Sequence, residues 1–541
     1  MSSTAYATPI DDAAAARRPS DRRKSGGGVS ERGPSDRGPS ERGPSDPAAP
    51  ALPHTALPHT ALPARDLYQA LSAANHADPR ARRAMAGACL ARELAAVASM
   101  PCDLPDDPQA LAQWAAPRHA AVAAQYQEYL ATRKAGAPRR YFSNMAHALY
   151  FLRCVGPTKL VDGAWLYGVL PRWSENDFRP LLKTYIEELG EGLPAKNHVV
   201  LYQRLLDNHG LNDWDGLGDG HFTQGALQLA LGYADQDYLP EVVGFNLGYE
   251  QLPLHLLITA YELNELGIDP YYFTLHVTVD NAASGHAQDA IDAVQRLMAR
   301  AADPAEFYRR VRAGYQLNDL GECTTSVIAS FDLEAELVRI MASKAVTGQD
   351  MHGDYCRIAG KTINAWLADT SQIPDLLRAF ESTGWIQRGA APEESRFWRL
   401  IQGERAEMFG VFSSYEQQVL ADWIRTPSTA DQGGASGAQA SGAASGAPRV
   451  ASFRARQRAL AAVATPPARP GGQRALIRHA YDSDDQSAAP GNDQLRHLEQ
   501  AVALADSKAD AMQLLIAAMS PARHHTAAGL MATRMFVRLL P

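Results

Sequence analysis

An all-α protein is the fold class this sequence predicts, and three observations carry it. Apolar residues recur at three- and four-residue intervals, as in Ala146, Leu149, Tyr150 and Cys154 and again in Leu201, Leu205 and Leu206. Proline and glycine punctuate these stretches at Gly156-Pro157, Gly190 to Pro194, Gly216 to Gly220, Leu239-Pro240 and Asp269-Pro270, where helices should end or begin. No series of alternating, strand-like segments interrupts the pattern.

Taken in chain order, residues 1–65 come first as a predicted disordered arm. They repeat a Gly-Pro-Ser-Asp/Glu-Arg unit and then Ala-Leu-Pro-His-Thr, with too few large apolar side chains to offset chain entropy. Residues 66–333 form the main helical domain and 334–426 a compact helical accessory module, which closes on an amphipathic stretch from Tyr415 to Ile424. Gly, Ala, Ser and Gln replace the periodic pattern from Gln432 to Pro448, within a predicted flexible linker at 427–493. The last segment, 494–541, reads as a helical tail too small to bury a core alone, one that packs back or frays.

With 541 residues, the chain exceeds what one core usually organises, so one large domain with appendages is expected. The formal charge of −8, from 52 basic and 60 acidic side chains, lacks the basic excess that a nucleic-acid partner would call for. Five cysteines at long spacings, with no CxxC or CxxCH, fit a reducing cytoplasm and exclude covalently attached c-type haem. The sequence has neither a secretory leader nor an apolar run long enough for a bilayer, so the expectation is a cytoplasmic protein without a membrane partner.

Carboxylates and imidazoles gather in three blocks, Val155 to Leu166, Tyr185 to His198 and Gly248 to His286. Hard carboxylates neutralise and bridge two irons, while neutral imidazoles fix geometry and leave positions open for dioxygen. Glu188 and His198 are ten residues apart, so a straight helix would separate them by about 15 Å, too far to share one centre. The helix must break between them, and Leu189-Gly-Glu-Gly-Leu-Pro194 supplies the break. His276 and Asp280 are four residues apart and share a helix face, whereas Asn281 to Gly285 is a weak helix former that has to bend if His286 is to reach the same centre.

The pattern Asp162, Glu188-x9-His198, Glu250, His276-x3-Asp280-x5-His286 resembles the haem-oxygenase-like di-iron oxidases and oxygenases, the iron-containing redox enzymes, over roughly residues 140–300. The resemblance implies a haem-oxygenase-like helical bundle and a seven-residue metal set, Asp162, Glu188, His198, Glu250, His276, Asp280 and His286. Its implied cofactor is a pair of iron ions with dioxygen as co-substrate. Asp162 would come from the first core helix and Glu250 from the helix after the Glu188/His198 pair. The implied function is oxidation of a small organic substrate, by amine oxidation or by aliphatic C–H or C–C oxidation. An external electron donor and a homodimer are compatible with it, and no catalytic residue is expected beyond the metal ligands.

Glu187, Glu191, His221, His255 and Glu262 are competitors for these roles, with His255 and Glu262 placed as partners that orient a ligand. Trp165 and Tyr249 lie closest in sequence to proposed ligands among the aromatic residues, which otherwise read mainly as core. Two other functions stay open at this point. One is a non-catalytic helical binding or scaffold protein. The other is a haem-binding relative with His147 as its axial ligand.

Overall fold

Residues 62–74, 78–279, 285–403, 405–427 and 491–541 are described by the computed structural model. Most of the predicted arm and linker lies outside them. All described residues belong to one unit, His59–Pro541. Helix dominates, and the strands among them are β1 (Arg357–Ile358) and β2 (Lys361–Thr362), an antiparallel pair with Arg357 opposite Thr362.

In chain order the helices of the larger part are α1 (Ala64–Ser72), α2 (Pro79–Val97), α3 (Leu111–Lys134), α4 (Met145–Cys154), α5 (Gly156–Lys159), α6 (Arg179–Glu188) and α7 (His198–His209). They continue with α8 (Gly220–Tyr233), α9 (Leu239–Tyr249), α10 (Leu254–Glu265), α11 (Tyr271–Val279), α12 (His286–Met298) and α13 (Pro304–Gln316). Helix α8 is the buried centre, lined by α1, α2, α5 and the 3₁₀ segment Ala164–Arg172. Helix α9 lies along α13 and α12, and α12 packs on α6. Side-chain caps set several starts: Asn144 accepts from the His147 amide, Asn197 from Val200, and Asp303 from Ala305 and Glu306 ahead of Pro304.

Two expected boundaries move. Ala64 and Arg65 belong to α1 and not to the arm, because both backbone amides donate to the Asp219 carboxylate and the Arg65 guanidinium reaches the Trp214 and Leu217 carbonyls. The C-terminal helices begin at Gly491, inside the predicted linker: they are Gly491–Ala503, Lys508–Ala518 and Ala527–Leu539. These do not fray. They pack on one another, and Ala527–Leu539 sits on the Gly190–Gly192 turn. Beyond α13, α14 (Thr324–Ala329) packs on α4, α15 (Leu333–Gly348) follows, and at the end of this region α16 (Ser414–Arg425) lies against both α15 and α4, where Asp422 caps the Ala146 amide at 2.8 Å.

Candidate metal centre

The break between Glu188 and His198 is built from the turn chemistry of the sequence. Helix α6 ends on Glu188 and α7 starts on His198. Between them Gly190, Glu191 and Gly192 all have positive φ, 62°, 55° and 79°, which reverses the chain within three residues. Asp162 is placed differently from the expectation of a helical carboxylate. It lies in the turn between α5 and the 3₁₀ segment, followed by Gly163 at φ 80°. A Cβ on Gly163 would come within 2.9 Å of the Glu188 Cβ, so this glycine lets the Asp162 turn close on Glu188. Glu250 caps the C-terminus of α9, His276 sits on α11 and His286 opens α12.

Six of the seven predicted residues converge, and none is more than 6 % exposed. One group is Asp162, Glu188, His198 and His276, the other Glu188, Glu250 and His286; in each, one ligand atom per residue lies within 4.8 Å of all the others. Glu188 belongs to both. The seventh, Asp280, lies outside the described residues.

Hydrogen bonds fix which imidazole nitrogen faces the centre. His276 Nδ1 donates to the Tyr272 carbonyl at 2.9 Å, which turns Nε2 to Asp162 Oδ2 at 3.2 Å. His286 Nε2 donates to Glu187 Oε2 at 2.8 Å, which leaves Nδ1 facing Glu250 Oε2 at 3.0 Å and Glu188 Oε1 at 3.5 Å. Asp162 is held by two phenols, Tyr272 at 2.5 Å and Tyr249 at 3.1 Å, and Lys159 donates to the Tyr249 oxygen at 3.2 Å. Burial, and then the charge of Asp162, hold both phenols well above their ordinary range, so they are donors to the carboxylate.

The donor set fits a cation. Glu188 and Glu250 sit at helix C-termini, where the helix dipole disfavours negative charge, and burial makes an uncompensated carboxylate costlier still. His198 Nδ1 and Glu188 Oε2 approach to 2.5 Å, yet neither atom makes a hydrogen bond of proper geometry. Both atoms are buried and turned toward the same point, as two ligand atoms aimed at one cation would be. Burial opposes charge on His198, but Glu188 and Asp162 outweigh it and push the imidazole up to about 10. Burial would likewise raise Asp162, and Lys159 with the two imidazoles instead holds it well below the usual carboxylate range.

The competing residues separate cleanly. Glu187 is the residue whose role the spacing missed: it is the carboxylate partner of His286. The two are ninety-nine positions apart, so no local signal marks the pair. Tyr272 was legible in principle, since it lies four residues before His276 and so on the same face of α11. Glu262, expected beside a ligand, instead accepts from the Tyr129 hydroxyl and from the successive amides of Arg140, Tyr141 and Phe142, which anchors the chain ahead of α4. Glu191 is exposed and pairs with Lys196. Trp165 bonds Asn246 and packs its ring at a tilt against Tyr249, as a core residue does. His147 is a core residue too, bonded to the Ile328 carbonyl and stacked on Phe331, which leaves it no role as a haem ligand.

Buried carboxylates and imidazoles on an all-α scaffold are a donor set suited to a metal cation such as iron. Residues 149–319, which contain every member of the centre, match the model of the iron-containing redox enzyme family. No curated protein and no solved structure matches the chain. The family match supports an iron-dependent oxidoreductase. Among the described residues no helix is long and apolar enough to cross a membrane, and all five cysteines are free thiols.

Proposed function

We propose that this protein is a non-haem di-iron oxidase or oxygenase that uses dioxygen on a small organic substrate. The observation that carries this reading is the pair of ligand groups sharing Glu188, since a shared carboxylate is what bridges two adjacent ions. Asp162, His198 and His276 would hold one iron, Glu250 and His286 the other, with Glu188 between them. Asp280 is proposed as a further ligand, from the chain just past α11. Two ferrous ions bound there would supply the electrons that activate dioxygen for amine oxidation or aliphatic C–H or C–C oxidation.

The chain's own residues position that chemistry. Glu187 and the Tyr272 carbonyl hold His286 and His276 in the tautomers that aim a lone pair inward. The phenols of Tyr272 and Tyr249 fix the Asp162 carboxylate in place, and Lys159 with the His198 and His276 imidazoles keeps it ionised. A cleft of about 500 Å³ lies beside Glu187, the partner of His286, with Trp173, Arg179, Lys183, Ile186 and Arg296 among its walls, and is of a size to hold a small molecule. Reduced cysteines agree with a cytoplasmic setting.

Anaerobic loading with ferrous iron, iron counting and then measurement of dioxygen uptake tests this reading. About two irons per chain and uptake that apoprotein lacks are expected. Protein that takes up no iron, or takes up iron but no dioxygen, refutes it.

A further inference from the structure

Among the described residues neither ligand group draws on the C-terminal helices, yet they grip the turn that precedes His198. Asn197 immediately precedes His198 and is held from three sides. Its Oδ1 accepts from the Val200 amide at 3.0 Å, and its Nδ2 donates to the Leu189 carbonyl at 3.1 Å and to His524 Nδ1 at 3.1 Å. The first two bonds fix the orientation of the amide, so His524 Nδ1 is the acceptor and its proton sits on Nε2. His524 is 2 % exposed. On either side, the Tyr185 hydroxyl, one turn before Glu188, donates to the Met519 carbonyl at 2.7 Å, and a Cβ on Gly192 would collide with the Leu530 carbonyl.

We propose that the segment Lys508–Leu539 is a positioning element of the metal centre, acting through His524 on Asn197 and so on His198. This rests on the di-iron reading. The Gly190–Gly192 turn is held in left-handed backbone geometry by what packs on it, and a small rotation there carries His198 away from Glu188 and Asp162. Glu250 and His286 come from α9 and α12, apart from the Asn197 turn on which His524 acts. The effect of His524 is therefore selective for the iron of the Asp162, His198 and His276 group.

Full-length protein carrying His524→Leu, which removes the acceptor, is compared with His524→Gln, which retains one. Anaerobic ferrous titration is followed by near-infrared circular dichroism, whose d–d bands report each ion's ligand field. For His524→Leu one iron should bind about 10–100-fold more weakly and change its bands, while the other is unaltered, and His524→Gln should recover most of the loss. Should His524→Leu fold poorly, Asn197→Asp keeps the cap on Val200, removes the donor to His524, and should show the same one-iron loss. Two irons bound with unaltered affinity and bands in His524→Leu, or both weakened equally alongside a lower melting temperature, overturns the inference and leaves the di-iron reading standing. Wild-type protein that binds no pair of irons overturns both.

Discussion

Replacing Glu187 separates a positioning carboxylate from its neighbour Glu188, the proposed shared ligand. The Glu187 side chain is 32 % exposed and receives a 2.8 Å hydrogen bond from His286 Nε2, which fixes the imidazole with Nδ1 inward. Partners of this kind typically change metal affinity about 10–100-fold, or roughly 1.4–2.7 kcal/mol. Partial exposure lowers the electrostatic share of the effect, because water screens the carboxylate. Glu187→Gln still accepts from Nε2 through its amide oxygen and should cost about tenfold; Glu187→Ala leaves the tautomer unconstrained and should approach a hundredfold. Competition with a calibrated ferrous chelator under anaerobic conditions measures both. Only the iron of the Glu188, Glu250 and His286 group should weaken. Equal affinities in wild type, Glu187→Gln and Glu187→Ala would refute the argument that this bond sets the His286 ligand.

Iron affinity should depend on pH. His198 is pushed up to about 10 in the metal-free protein, so below that pH it carries a proton that a metal ion must displace. Affinity at that ion should therefore rise about tenfold per pH unit between pH 6.5 and 7.5, and a pH-independent titration contradicts the proton count. Glu262→Leu should destabilise the fold by about 3 kcal/mol or more, read as the chemical denaturation midpoint, because it orphans the amides of Arg140, Tyr141 and Phe142 together. Arg65→Ala removes two hydrogen bonds to carbonyls and a cation stacked over Phe222, so a loss of about 1–3 kcal/mol is expected; an unchanged melting temperature would place Arg65 outside the folded unit.

Local chemistry was legible in the sequence wherever a single segment determines it. Two glycines and a proline between Glu188 and His198 demanded a chain reversal, and the structure ends one helix on Glu188 and starts the next on His198. What was illegible depends on which distant segments meet. Glu187 and Glu188 are adjacent carboxylates pointing about 100° apart on a helix, and only the placement of α12 assigns one to the centre and the other to His286. The same holds for Glu262, whose partners lie more than a hundred residues away, and for His524, which meets Asn197 across 327 positions. The composition of the C-terminal tail permitted docking without indicating a surface. Asp162 was placed on the first core helix by the resemblance alone; Gly163 and its positive φ instead make a turn there.

The central claim is that Glu188 is common to two metal ions while Glu250 serves one. Iron stoichiometry of Glu188→Ala and Glu250→Ala, each loaded anaerobically beside wild type, tests it most directly. The account predicts about two irons in wild type, about one in Glu250→Ala, and the loss of both, or a residue of weak binding only, in Glu188→Ala. Equal iron content in the two variants, or two irons retained in Glu188→Ala, would contradict a shared carboxylate at the heart of the site.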